Sequence, residues 1–166
     1  MFGGLMPAMV TPFDRQGEVD LDATEAVIER FIEAGVSGIS LLGSTGEATH
    51  LTFDERKRFA EEVVRIAAGR VPLVVGVDSS GTAEAVEPAR HAEGTGADAV
   101  LSVSPFYWKV GEEALFNHFA TVANSVEIPV LLYSIPMLTG IDLSPALIGR
   151  LATECENVVG AKDTVI

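Results

Sequence analysis

The chain has 166 residues, of which 48% are hydrophobic, and its 24 acidic and 11 basic side chains give a net charge of −13. This hydrophobic share and a mean hydropathy of +0.32 argue against disorder, and no apolar run approaches the ~18 residues of a membrane-spanning helix. The negative charge disfavours nucleic acids and anionic membranes as partners, because like charges repel at long range.

Six short apolar runs predict strands. They are bounded by Gly, Pro or Asp and are apolar at nearly every position, which is typical of strands buried on both faces of a parallel sheet. Their bounds are residues 7–10, 38–42, 72–77, 98–103, 129–133 and 158–161.

Five segments between these runs have the helical spacing of apolar residues. Asp20 or Asp22 is a candidate N-cap of the first helix. Thr52 and Glu55 form the pattern of a capping box before the second helix, and Ser144, which precedes a proline, starts the last one. The alternation of strands and helices predicts an α/β fold with a parallel sheet, either doubly wound or barrel-like. No linker divides the chain, so we expect one domain over residues 1–166.

Polar residues follow every predicted strand, and in parallel α/β folds the functional residues collect beyond the carboxyl ends of the strands. Because all the strands contribute, this pattern favours the mouth of a barrel over a sheet with a single crevice. The polar segments are residues 11–13, 43–47, 77–80, 104–107, 133–136 and 162–164.

Lys162 ends the last apolar run, whereas Lys57 lies on a charged helix face and Lys109 in a loop. A primary amine inside an apolar barrel loses hydration, which lowers its pKa and makes it a nucleophile that forms a Schiff base with a ketone. Position alone fits equally well a lysine that reaches into solvent. Tyr133 ends another apolar run, where its phenol either relays protons or packs with its hydroxyl at the surface.

The segment "LLGSTGE" is a glycine-rich turn between a strand and a helix. Free backbone N–H groups between Gly43 and Gly46, with the hydroxyls of Ser44 and Thr45, can bind a carboxylate. The alternative is a tight turn that happens to contain hydroxyls. A Walker phosphate loop is excluded, because the glycine spacing differs and Glu47 stands where a cation is needed.

No spacing of His, Asp and Glu residues in the sequence is that of a metal site, so we expect neither a metal nor a cofactor. The single cysteine, Cys155, excludes an internal disulfide and multi-cysteine metal sites. A reducing cytoplasm is the simplest setting for such a chain.

Taken together, four motifs resemble those of the dihydrodipicolinate synthase / N-acetylneuraminate lyase family, in the same order and spacing. They are "GSTGE" at 43–47, "SPFYW" at 104–108, "YSIPMLTG" at 133–140 and "GAKDT" at 160–164. The resemblance implies a TIM (β/α)8-barrel, here about the first five βα units and the sixth strand. It also implies a class I, metal-independent aldolase or lyase, which joins or cleaves pyruvate and an aldehyde without a cofactor.

The resemblance implies roles by position. Lys162 matches the lysine that condenses with the C2 carbonyl of pyruvate, and Tyr133 matches the tyrosine that shuttles protons during C–C bond making or breaking. Tyr107 matches an aromatic residue that, in many members, reaches into the site of a neighbouring subunit, so a homo-oligomer (a tetramer or dimer) is expected of the full-length protein. The turn that would hold the pyruvate carboxylate consists of Gly43, Ser44, Thr45 and Gly46.

Two departures from the family pattern bear on the substrate. Dihydrodipicolinate-forming synthases usually carry an arginine for the distal carboxylate of the aldehyde, where this chain has Leu138, and an asparagine where it has Ser134. Without that guanidinium a bidentate carboxylate partner is missing. Since "FYWKVGEEAL" and "AKDT" resemble the 2-keto-3-deoxygluconate aldolase branch, we favour a 2-keto-3-deoxy sugar-acid aldolase. The alternatives are 4-hydroxy-tetrahydrodipicolinate synthase and N-acetylneuraminate lyase activity.

Members of this family have eight βα units, so this chain would leave the last strand without a neighbour. We therefore expect weak or no activity from residues 1–166 alone, because an open edge leaves Lys162 less protected from water. The alternatives from other classes are a non-catalytic anion-binding α/β module with its ligand at Gly43–Gly46, and an inactive relative of the enzymes.

Overall fold

The computed structural model describes residues 3–164, whose strands form one parallel sheet. The strand order is the order of the chain, and every neighbouring pair is parallel. Each connection therefore crosses over through a helical segment, as parallel pairing requires. The strands are β1 (Ile39–Leu41), β2 (Leu73–Gly76), β3 (Ala99–Val103), β4 (Val130–Ser134) and β5 (Val158–Asp163).

The strand predicted at residues 7–10 is present only as an isolated bridge between Ala8 and Ser40 of β1. The Met9 N–H donates to the Ser40 carbonyl at 2.8 Å, and the Ser40 N–H donates to the Pro7 carbonyl at 3.0 Å. Pro7 has no N–H of its own to extend the ladder. The segment thus runs beside β1 at the position of a preceding strand, but it is shorter than predicted.

Five of the α-helices among the described residues correspond to the five predicted helices. A short helix at Pro136–Thr139 was not expected, and Pro136 starts it at a position where proline favours a helix. A 3-10 helix at Ala48–His50 follows the glycine-rich turn. The helices are α1 (Leu21–Glu33), α2 (Phe53–Ala67), α3 (Thr82–Thr95), α4 (Glu112–Ala123), α5 (Pro136–Thr139) and α6 (Pro145–Glu154).

The predicted helix caps are present in the structure. Asp20, not Asp22, caps α1 by accepting the Ala23 N–H at 2.9 Å. The capping box before α2 is complete: the Thr52 N–H donates to the Glu55 carboxylate at 2.6 Å, and the Glu55 N–H donates to the Thr52 hydroxyl at 3.3 Å. Such caps satisfy N–H groups that the helix itself leaves unpaired.

Two apolar clusters lie on opposite faces of the sheet. The larger one fills the space between the outer face and the helices, where the fully buried Phe59 of α2 and Phe119 of α4 pack. The smaller cluster covers the inner face, the side away from these helices, and consists of Val74, Ala99, Leu101, Val103, Tyr133 and Ile135. A sheet apolar on both faces, with helices on one, is the layer arrangement of a barrel wall.

Candidate active site

A cleft of about 510 Å³ opens at the carboxyl ends of the strands. Four of the predicted site residues line it: Gly43, Ser44, Tyr107 and Tyr133. Three do not: Thr45, Gly46 and Lys162. The remaining walls of the cleft are Glu47, Thr49, His50, Asp78, Val103, Phe106, Ile135, Leu138 and Thr139.

The pairing of β5 with β4 contains a β-bulge. Val130 lies opposite Val158, but the next residue, Leu131, lies opposite Gly160, so that Val159 has no counterpart. A bulge of this kind shifts the alternation of side chains along a strand by one residue. Val159 is 54% exposed.

The bulge decides which way Lys162 faces. Val158 belongs to the cluster on the helix side, and in a regular strand Lys162, four residues later, would face the same side. With the alternation shifted, Lys162 instead lies opposite Tyr133, a residue of the inner cluster. The Lys162 Nζ lies 4.3 Å from the centroid of the Tyr133 ring. The half-buried lysine and the tyrosine are therefore in contact on the inner face, as their predicted roles require.

The Tyr133 hydroxyl lies within hydrogen-bonding distance of the turn. Tyr133 is 2% exposed, and its hydroxyl oxygen is 3.1 Å from the Ser44 Oγ. Either hydroxyl can donate, so the pair can pass a proton in both directions. Lys162, Tyr133 and Ser44 thus form a continuous series of contacts from the amine to the glycine-rich turn.

Three residues outside the predicted site hold this turn in place. Leu42 adopts a left-handed conformation (φ 54°), and a Cβ on Gly76 would lie 2.0 Å from the Leu42 carbonyl oxygen. Only glycine fits there, because β2 approaches the backbone of the turn. The Thr11 hydroxyl donates to the Gly46 carbonyl at 2.6 Å from a buried position. The sequence signal for this close approach was Gly76, a glycine inside an otherwise apolar predicted strand.

Tyr107 lies at the rim with an unusual backbone. Its φ is +81°, which is uncommon for a residue with a side chain, and it is 85% exposed. Its ring packs edge-to-face against Trp108 at 5.2 Å between centroids. The structure thus places a large aromatic pair in solvent beside the cleft.

Asp78 is a buried acid in the cleft that sequence reasoning passed over, although it directly follows a strand. It is 6% exposed, and its buried Oδ1 has no hydrogen-bond partner among residues 3–164. Burial raises the pKa of the Asp78 carboxyl to about 7, while the positive charges of Arg56 and Lys162 act in the opposite direction. Desolvation outweighs attraction here because the charged form of a buried carboxyl loses its hydration.

No helix among the described residues is long and apolar enough to cross a membrane. Within residues 3–164, no group of three or more His, Cys, Asp and Glu side chains is arranged to hold a metal ion.

Comparison with known proteins gives the family. Residues 1–166 match the dihydrodipicolinate synthetase family. The chain belongs to this family. It is 46% identical over 163 residues to a 4-hydroxy-tetrahydrodipicolinate synthase of Brucella abortus, covering 98% of this chain and 56% of that protein. It is 43% identical over 164 residues to YjhH of Escherichia coli K12, named a probable 2-dehydro-3-deoxy-D-pentonate aldolase, covering 99% of this chain and 54% of that protein.

Among solved structures, the fold matches YagE of E. coli K12, a prophage protein of the dihydrodipicolinic acid synthase family in complex with pyruvate. The TM-score is 0.97 at 41% identity, covering 99% of this chain and 55% of that one. The chain thus spans about half the length of the family members that it matches. These findings confirm the predicted family and the predicted fold, part of a (β/α)8-barrel.

Proposed function

We propose that this chain carries the reacting residues of a Schiff-base lyase that joins or cleaves a C–C bond of a pyruvate-derived substrate. The observation that carries the proposal is the contact between Lys162 and Tyr133 on the inner face, with the Tyr133 hydroxyl 3.1 Å from Ser44. The pyruvate complex of the related YagE supports a 2-oxo acid as the ligand.

The proposed reaction begins at Lys162, whose unprotonated amine attacks the C2 carbonyl of pyruvate. Loss of water from the carbinolamine gives a protonated imine; in the condensation direction a C3 proton then passes to Tyr133, and the C–H electron pair forms an enamine whose C3 attacks the aldehyde. In the cleavage direction the imine forms on the larger 2-oxo acid: Tyr133 removes the proton of the hydroxyl on the departing carbon, the bond from that carbon to C3 breaks with its electron pair forming the enamine, and the departing carbon leaves as an aldehyde. The adjacent Ser44 hydroxyl can pass the proton onward.

The carboxylate of the 2-oxo acid is assigned to the turn from Gly43 to Gly46. Ser44 lines the cleft and contacts Tyr133, which places a hydroxyl beside the reacting atoms. The Thr45 hydroxyl and the backbone N–H groups of the turn are the other proposed donors. This assignment needs no metal and no cofactor, because the imine supplies the electron sink.

We propose a 2-keto-3-deoxy sugar-acid aldolase as the specific activity. Leu138, which lines the cleft and is 61% exposed, offers no positive charge to an aldehyde that carries a carboxylate. Among the described residues, no lysine or arginine lines this cleft, which favours an uncharged hydroxyaldehyde. The relatives include both an aldolase and a synthase at similar identity, so 4-hydroxy-tetrahydrodipicolinate synthase is the second candidate. N-acetylneuraminate lyase activity is a third.

A homo-oligomer is proposed for the same protein. Tyr107 and Trp108 are large aromatic residues, 85% and 73% exposed, beside the cleft. Exposed aromatic side chains of this size are enriched in protein interfaces. An interface there would bury both rings and would bring Tyr107 towards a neighbouring site.

Reduction with borohydride in the presence of pyruvate tests the imine. We expect a stable pyruvyl adduct on the peptide that contains Lys162, located by mass spectrometry, and no adduct in Lys162→Ala. The protein should be used in the longest form that its gene encodes and, separately, as residues 1–166, from which we expect little turnover. Anion binding without any adduct would instead support a non-catalytic binding module.

A panel of acceptor aldehydes then tests the substrate class. We expect faster condensation of pyruvate with glyceraldehyde or glycolaldehyde than with aspartate semialdehyde, and Leu138→Arg should shift this preference towards the carboxylated aldehyde. A preference of the unmodified enzyme for aspartate semialdehyde would favour the synthase.

A further inference from the structure

Asp78 faces the interior of the sheet together with the proposed reacting residues. It lies four residues after Val74, a member of the inner cluster, and alternation along the strand therefore directs it to the same face. Asp78 also lies at about the same height along the sheet as Ser44. Leu41 of β1 pairs with Val75 of β2, and Ser44 and Asp78 each come three residues after their member of this pair. The acid thus lies two residues beyond β2, the strand next to β1, which leads into the proposed carboxylate-binding turn.

The surroundings of Asp78 lack the hydrogen bond that such a buried group normally has. Its Oδ1 is buried and unpartnered, although buried polar atoms are nearly always paired. Arg56 does not supply the bond, since its Nη1 donates to the Asp78 backbone carbonyl at 2.8 Å. Since Asp78 also lines the cleft, a ligand bound there can supply a partner.

The other charged and titratable groups around Asp78 come from several helices, strands and loops. Arg56 of α2, and Lys162 of β5 in its protonated form, favour the ionised form of Asp78. The remaining groups line the same cleft or the neighbouring one, of about 430 Å³, which Asp78 also borders: Glu47, His50, Glu84, Glu87, Tyr107 and Tyr133.

We propose that Asp78 is a further binding residue for the 2-oxo acid, and that it binds this ligand as the neutral carboxylic acid, whose O–H donates a hydrogen bond to the ligand. The proposal rests on the proposed function, since it requires an anionic 2-oxo acid in this cleft. An ionised Asp78 would repel that anion in a poorly hydrated site, whereas the neutral acid adds a donor to those of the turn. A carboxylic acid that stays protonated in order to donate a hydrogen bond is physically possible when burial is deep.

Binding of the 2-oxo acid is therefore linked to the protonation of Asp78. Burial holds the pKa of this carboxyl at about 7 in the free protein, so at pH 8 most molecules must take up a proton from solvent before the ligand binds. Below pH 7 the acid is already protonated and little uptake is needed. The contribution of Asp78 to the apparent Kd for pyruvate should then rise towards tenfold per pH unit above pH 7 and stay flat below it.

The test measures pyruvate binding calorimetrically between pH 6 and pH 8.5, in two buffers of different ionisation enthalpy, with the protein in the longest form that its gene encodes. We expect the unmodified protein to take up close to one proton more than Asp78→Asn at pH 8, because any proton that imine formation at Lys162 takes up is common to both proteins. Asp78→Asn keeps an N–H donor but cannot titrate, so its Kd should lack the rise that Asp78 causes and should be about tenfold lower than that of the unmodified protein at pH 8. Asp78→Leu lacks a donor and should bind at least ~10-fold more weakly than Asp78→Asn at every pH, as expected for the loss of a hydrogen bond to a charged group.

Asp98→Asn is the matched control, because Asp98 lies just before β3 at the amino end of the sheet, where it accepts the Leu73 N–H of β2 at 2.8 Å; the pH dependence of pyruvate binding to this variant should equal that of the unmodified protein. His50 and Lys162 remain in all these variants, so differences between the variants report on Asp78. An Asp78→Asn protein with unchanged proton uptake refutes the role of Asp78. Borohydride trapping on Lys162 reports separately on the proposed function: absence of the adduct overturns that function, whereas an adduct with an unaltered pH profile overturns only the inference about Asp78.

Discussion

The buried carboxyl of Asp78 should make the stability of the protein depend on pH in a predictable direction. Its pKa is about 7 in the folded protein, against an ordinary value of 3.8. Between these two values the unfolded chain has lost a proton that the folded protein retains, so the free energy of unfolding falls as pH rises. Below pH 3.8 Asp78 does not lower the free energy of unfolding, and above pH 7 this lowering, the penalty for ionising the buried acid, is complete.

The size of the penalty follows from the two pKa values. One pKa unit corresponds to ~1.4 kcal/mol, so the full difference corresponds to about 4 kcal/mol. Most of this develops in an accessible range: between pH 5 and pH 8 the folded protein should lose about 2.5 kcal/mol through this group alone. Asp78→Asn cannot ionise and should not show this loss.

Urea unfolding at pH 5, 6, 7 and 8 measures the effect as the difference between the unmodified protein and Asp78→Asn. Burial lowers the pKa of His118, which weakens folding below the ordinary pKa of histidine, but that contribution is common to both proteins and cancels. Between pH 5 and pH 8, the free energy of unfolding of Asp78→Asn should rise by about 2.5 kcal/mol relative to that of the unmodified protein. If the two stability curves run parallel across this range, Asp78 does not carry the assigned pKa and the reasoning fails.

Three further predictions concern the geometry of the site and of the sheet edge. Tyr133→Phe removes the hydroxyl beside Ser44 and should lower turnover ~10²-fold or more while the borohydride adduct persists; unchanged turnover would exclude Tyr133 as the proton carrier. Deletion of Val159 should remove the bulge but leave Lys162 three residues after Val158 and still opposite Tyr133, so the adduct should persist in a protein that gives a cooperative unfolding transition, and its loss would contradict this account of the register. The Asn157 side-chain amide donates to three backbone carbonyls at 2.9, 2.9 and 3.3 Å, so Asn157→Ala should lower the free energy of unfolding by about 1–3 kcal/mol in urea titration; a loss below ~0.5 kcal/mol would show that water replaces these bonds.

The interior strands were predictable because burial on both faces leaves a continuous apolar run. The runs at 72–77 and 98–103 contain β2 (Leu73–Gly76) and β3 (Ala99–Val103) with at most one extra residue at each end. Helix starts were predictable for a similar reason, since Thr52 and Glu55 satisfy N–H groups that any α-helix leaves open. In both cases the physical cause acts within a few residues of the chain.

Features that depend on contacts between distant segments were not predictable. The apolar run at 7–10 looks like a strand, but pairing at the sheet edge reduces it to one bridge at Ala8. Asp78 reads as one more polar residue after a strand, and only the fold shows that it is buried and without a partner for its Oδ1. Nothing local distinguishes it from the exposed acids that make up most of the net charge.

The orientation of the candidate site depends on two backbone irregularities. Strict alternation from Val158 would send Lys162 towards the helices, and it is the unpaired Val159 that returns it to the inner face beside Tyr133. The position of the turn that carries Ser44 depends on a second irregularity. Leu42 adopts a left-handed backbone conformation, and the Leu42 carbonyl occupies the space that a side chain on residue 76 would fill. This arrangement lets the turn approach Tyr133. Residue type and spacing indicate which groups can react, whereas these two local departures from regular geometry bring them together. Substitutions at such positions should therefore change the chemistry without touching a reacting side chain.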